Sequence, residues 1–252
     1  MLQQFKAMYN LLFNYWKKSF HNIFFSFVFP CMFLAILSKV PSLNIDDLIP
    51  GIIASACPVV GIISLSISFS DLKQTIIYKR IAVLPLKPWI FIISIISFFT
   101  ILTWLSAIWI FIFSLIFWHS QINLVNIHAG YIILGVIFLS IICSSIGVII
   151  GSLAKDYKIA NAFSMLFYLP PAFLSGMYLP IKVIIGSNVL KIISLFLPYT
   201  YPVTIINYGW NKTKSSFIFN SELWVFILIS LLLVICFITS AILVYKLKKK
   251  NN

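Results

Sequence analysis

The chain is 252 residues long, 62% hydrophobic and only 9% charged, with a formal net charge of +13. Soluble domains carry roughly 25% charged residues, so this chain has too few charges to cover a water-facing surface, and lipid is the natural surrounding for its outside. The positive charge does not point to nucleic acid either, because the lysines cluster between long apolar runs and no groove-reading motif accompanies them.

In chain order, the first predicted element is a helix within residues 1–20. Leu2, Phe5, Met8, Leu12 and Trp16 form one series, and Gln3, Lys6, Asn10, Asn14 and Lys17 another, both in steps of three or four. One face is apolar and the other polar, which suits a helix lying in the membrane interface; a frayed tail is the alternative. Polar residues precede the first apolar run and no small-x-small site follows it, so no cleaved leader is expected.

A span needs about 20 apolar residues. Six candidates follow: residues 22–38, 48–70, 89–117 and 129–153, a fifth beginning near Asn161 and turning irregular at Pro170-Pro171, and a sixth over 222–245. With the N-terminus on the cytoplasmic side, 13 Lys and Arg fall inside and 5 outside. The excess of inside positive charge places both termini in the cytoplasm and favours an even number of spans. The expected fold is all-α: one polytopic transmembrane domain over residues 1–252, with six transmembrane helices, an N-terminal interfacial helix and short outer re-entrant helices.

Between spans two and three lies the loop 71–88. Asp71 and Gln74 have the spacing of an N-cap and capping box. Leu72, Ile76, Ile77, Ile81 and Leu84 then recur at near-helical intervals, leaving Lys73, Tyr78, Lys79 and Arg80 on another face, and Pro85 and Pro88 end the run. Such a helix either presses on another protein or only fixes topology, and the residues alone leave both open. A second cytoplasmic turn, 154–160, holds Lys155, Asp156 and Lys158. The outer stretch 175–221 is apolar but broken by Gly and Pro, and irregular backbone at membrane depth survives only under cover of protein or water. Gly147-x-x-x-Gly151 fits close helix packing, more simply within the chain than across a dimer. Cys31, Cys57, Cys143 and Cys236 lie singly in apolar runs and read as free thiols, with no metal site expected.

The missing chemistry narrows the function. Asp46, Asp47, Asp71, Asp156 and Glu222 are the only acidic residues and all lie at or beyond span ends, so no mid-membrane charge is available to a proton-driven pump. No GxxxxGK[ST], HExxH or GxSxG is present, so neither ATP binding by a P-loop nor hydrolase chemistry has its residues. Energy for any transport has to come from a partner, apart from sodium coupling through carbonyls and hydroxyls.

Two segments carry a family resemblance. Thr75-Ile-Ile-Tyr-Lys-Arg-Ile-Ala-Val-Leu-Pro85-Leu86 is similar to the loop between spans two and three of ABC-2-type permeases, the membrane subunits of type-2 ABC exporters. Pro170-Pro171-Ala-Phe-Leu-Ser175-Gly176-Met-Tyr-Leu-Pro180, followed by Leu197-Pro198-Tyr199-Thr200, resembles the family's span-five end and outer helices. The sequence departs from the family in having Gln74 where an acidic residue and glycine often precede the threonine, and Gly186-Ser187 where a proline often opens the second outer helix.

The resemblance implies a homodimer or pair of similar permeases, with two ATP-binding cassette ATPase subunits below. This chain would then be no enzyme and hold no cofactor, with ATP and Mg on the ATPase. It implies a coupling interface at Lys73, Gln74, Tyr78, Lys79, Arg80 and Leu84, with a second contact at Lys155 and Asp156. It implies a path lined by spans two and five, nominating Ser55, Val59 and Ile63 against Phe163, Phe167 and Phe173, with Phe173, Leu174 and Met177 near the outer gate. Each aromatic is equally suited to plain lipid contact. An uncharged aromatic path suits a hydrophobic or amphipathic cargo. Composition resembles that of AT-rich bacteria, whose small permeases of this kind resemble exporters of amphipathic peptides, including the staphylococcal phenol-soluble-modulin exporters. Drugs, lipids and cell-wall polymers are alternative cargoes. A membrane immunity or scaffold protein, or a secondary transporter, would share the composition. The expected location is a bacterial plasma membrane.

Overall fold

The computed structural model describes residues 2–40, 44–75, 88–122, 127–210 and 223–251, and no strand occurs among them. The helices are α1 (Leu2–Lys18), α2 (20–37), α3 (Ile45–Gln74), α4 (Pro88–Trp118), α5 (Ala129–Leu153), α6 (Tyr157–Leu174), α7 (Ile181–Ile185), α8 (Asn188–Leu195), α9 (Thr200–Trp210) and α10 (Leu223–Asn251). Among the described residues, four helices are long and apolar enough to cross a membrane: α3, α4, α5 and α10. α8 and α9 meet at 113° and would add a fifth span if taken together. Of the two other expected spans, α2 has a shorter apolar part (Phe24–Leu37), and α6 carries Lys158, Asn161 and two prolines.

α3 is the axis of the fold, and the most apolar stretch of it is wholly enclosed. α4, α5, α6 and α9 pack around it, and α5 in turn carries α9 and α10. Small residues allow this enclosure. A side chain on Gly61 would meet Ser144 N at 2.9 Å, and one on Gly151 would meet Ser66 O at 3.1 Å. A Cβ on Gly147 would press on the backbone of Gly61 and Ile62. The Gly147-x-x-x-Gly151 face therefore serves packing of α5 on α3 within one chain, by close backbone approach. α10 is mostly exposed, with Trp224, Leu228, Leu232 and Leu247 all on its open side, as a lipid-facing helix requires.

Prolines in α2 and α6 are tolerated because hydroxyls from elsewhere in the bundle replace the missing donors. Pro30 has no N–H for the carbonyl of Ser26, and the turn Phe24–Val28 widens to a π-helix. The Ser106 hydroxyl donates to that Ser26 carbonyl. α6 likewise does not become irregular at Pro170-Pro171, contrary to the expectation, and continues to Leu174. Pro171 leaves the Phe167 carbonyl without its helical donor, and the Tyr199 hydroxyl supplies one at 3.2 Å.

One further expectation is corrected. Asp71 and Gln74 are not an N-cap and capping box: α3 runs through Asp71 and stops at Gln74, with Thr75 extended. The apolar stripe of the span continues through buried Phe69 and Leu72, and the Thr75 hydroxyl ends the helix by bonding back to Leu72 O at 2.7 Å. The greasy face of α1 packs on protein as well as lying along the bundle. Met8, Leu12 and Trp16 are buried. The Tyr9 hydroxyl donates to Ser97 Oγ at 2.6 Å, and its ring meets Phe98 edge-on at 5.7 Å.

Candidate functional site

Side chains from distant parts of the chain meet at the Gln74 end of the bundle. The Lys73 ammonium donates to the carbonyls of Ser152 at 2.9 Å and Ala154 at 2.8 Å. Gln74 Nε2 donates to Lys155 O at 3.4 Å. Asp156 caps α6 by accepting from the Ile159 N–H at 2.8 Å. Tyr15 of α1 lies close by, and its phenol is pushed up to about 12, first by burial and then by the Asp71 charge. The two predicted coupling segments, Lys73-Gln74 and Lys155-Asp156, are thus one cluster. Tyr78, Lys79, Arg80 and Leu84 lie outside the described residues.

The residues nominated for the path separate into two environments. Ser55, Val59 and Ile63 have no exposed surface, lying in the enclosed middle of α3. Phe163 and Phe167 are 51% and 46% exposed on α6, and Phe173 is exposed beyond them. Leu174 is half-buried and Met177 is buried. Within one chain, the α3 and α6 sets therefore do not face a common space.

Phe163 and Phe167 instead open onto a groove of about 900 Å³ between α5, α6, α10 and the 197–199 segment. Ile149, Leu153, Pro171 and Phe237 are also in its wall, and among the described residues no charged side chain lines it. The α5 face and Phe237 were not singled out in the sequence. The only signal for them was the length of two uniformly apolar spans, which does not mark one face over another.

The opposite end of the bundle is closed by a compact crown. Gly176 adopts φ +88°, the left-handed region that glycine tolerates, and turns the chain so that Met177 packs its backbone on Gly51. Tyr178 then sits between Phe33, at 4.4 Å, and Phe173, at 5.3 Å. Its hydroxyl bonds that of Tyr168. Nearby, buried Trp210 donates from Nε1 to Asp46 Oδ1 at 3.0 Å, tying α9 to the first turn of α3.

The model of the ABC-2 type transporter family matches residues 3–211. The chain belongs to this family. The match takes in α1 through α9, with the Lys73 cluster and the crown, and stops before α10 and Phe237. No curated protein and no solved structure matches the chain. ABC-2 membrane domains are the non-catalytic, permease part of ABC transporters, so membership makes this chain a multi-pass membrane component of such a transporter and implies an ATPase partner.

Proposed function

We propose that this ABC-2 chain is the permease subunit of an ATP-driven exporter for hydrophobic or amphipathic substrates, with amphipathic peptides as the favoured class. The observation that carries the reading is the groove beside Phe163 and Phe167: about 900 Å³, open, aromatic and without a charged residue. Such a wall offers area to an apolar face and nothing to a free ion. In this reading α2 and α6 complete six spans, both termini are cytoplasmic in a bacterial plasma membrane, and the Gln74 end faces the ATPase. Two copies place their α6 faces about a central axis. ATP and Mg on the ATPase pair drive its closure, the loops after α3 move with it, and the permease halves rock between inward and outward access. The positive-inside bias of the lysines supports the orientation.

The test is purification of the tagged chain in mild detergent, with native mass and identification of what accompanies it. Two permease copies with two ATPase subunits are expected. A chain that purifies alone, or with a peptide and no ATPase, overturns the reading in favour of an immunity protein or a secondary transporter. With the complex in hand, Phe163→Asp and Phe167→Asp should reduce uptake of an amphipathic peptide into inverted vesicles while leaving the subunits assembled. If drug or lipid transport falls and peptide transport was never present, the cargo class is wrong.

A further inference from the structure

Lys73 lies two residues before Thr75, at the point where α3 gives way to the loop. Its ammonium is half-buried and reaches across to α5. Ser152 and Ala154 supply carbonyls at the C-terminal end of that helix, where the last four have no helical donor. A cation there satisfies both and suits the negative end of the helix dipole. Gln74, next along, adds a longer bond to Lys155 O. The adjacent Asp156 caps the first turn of α6. An unbroken series therefore runs from the end of α3, through two side chains and a short turn, into the helix that carries Ile159, Phe163 and Phe167 on the groove wall. Along the same α3–α6 contact the hydroxyls of Ser66 and Ser164 touch. The middle of α3 has no free side: it is enclosed, and its close crossing with α5 at Gly61 and Gly147 resists sliding.

We propose that Lys73 is a positioning residue for transport, a strut that ties the Gln74 end of α3 to the α5–α6 turn, so that a push on that end reaches the groove wall. This rests on the exporter reading. Lys73 touches no substrate and acts through the carbonyls of Ser152 and Ala154. A merely structural cap would lower stability when removed, yet leave the peptide moved per ATP unchanged.

The experiment uses the complete transporter, permease with its ATPase, in proteoliposomes. It measures ATP hydrolysis and transport of a fluorescent amphipathic helical peptide together. Lys73→Met keeps the stem and removes the donors. The expected result, read at equal amounts of bound ATPase, is a fall of roughly tenfold in peptide moved per ATP, the equivalent of one charge-assisted hydrogen bond. Lys73→Arg, which can still donate to both carbonyls, should restore the ratio to within about threefold of wild type. An unchanged ratio in Lys73→Met, or no rescue by Lys73→Arg, overturns the strut and leaves the exporter reading standing. If Lys73→Met does not fold, Lys73→Gln is read instead: its neutral amide can reach one carbonyl, an intermediate ratio is expected, and a wild-type ratio overturns the proposal. A wild-type chain that binds no ATPase overturns both.

Discussion

Replacing Gly147 with alanine tests the tightest helix crossing in the molecule. The new Cβ would press on the carbonyl oxygen of Gly61 and stand 3.2 Å from its carbonyl carbon and 3.3 Å from Ile62 Cα. All three are backbone atoms, so no rotamer change relieves the clash, and α5 must move away from α3. Overpacking a core costs about 1–3 kcal/mol where side chains can yield, and here the upper end applies. Alanine recovers about 1 kcal/mol of helix propensity. The net loss is about 2 kcal/mol, or a fall of roughly 4–8 °C in the unfolding midpoint for a chain of this size. Gly130 is the control, because nothing lies within 4 Å of its added Cβ, and Gly130→Ala should be neutral or slightly stabilising. The assay is thermal unfolding in detergent followed by size-exclusion recovery. A Gly147→Ala protein as stable as Gly130→Ala would show that the backbones do not approach this closely, and would falsify the central role of α3 built on that crossing.

Three further outcomes follow from the same structure. Tyr199→Phe strands the Phe167 carbonyl, which Pro171 cannot serve, and should cost about 1–3 kcal/mol; in a Pro171→Ala background, where the helical N–H returns, the same change should cost clearly less, and equal costs in the two backgrounds refute the donor role. Trp210→Phe removes the bond to Asp46 and should lower the midpoint by roughly 3–12 °C, from a hydrogen bond to a charged group of about 1.5–3 kcal/mol; an unchanged melt counts against it. Tyr15 is held neutral above its ordinary value of 10.0, to about 12. Its contribution to stability is therefore full below pH 10 and is lost as pH rises from there through about 12. Alkaline unfolding should come at higher pH in Tyr15→Phe than in wild type, and identical alkaline profiles would show that Tyr15 does not titrate with folding.

Much of the layout is legible in the residues. Helix α5 begins and ends where its apolar run does, at Ala129 and Leu153, because His128 bounds it on one side and Lys155-Asp156 follows closely on the other. The periodic series in residues 1–20 specifies a helix with one greasy face, and α1 buries Met8, Leu12 and Trp16 from that series. The sequence does not say that Tyr9 and Trp16 find Phe98 and Phe27, because those partners are set by how α1 lies on the bundle. Pro170-Pro171 is a breaking signal locally, and is overridden by a tyrosine hydroxyl from far along the chain.

The all-helical, multi-pass membrane character is a property of composition and period, and the sequence determined it by itself. Which apolar residues are inside was decided only by the tertiary structure. Val59 and Ile63 are buried while Phe163 and Phe167 stand open on the groove, though all four read alike as apolar span residues. In water such residues would sort themselves by hydrophobicity. In a bilayer the lipid is as apolar as the core, so period and polarity lose their power to tell inside from outside. Small residues such as Gly61 and Gly147, and polar contacts such as that of Lys73 with the end of α5, decide the packing instead.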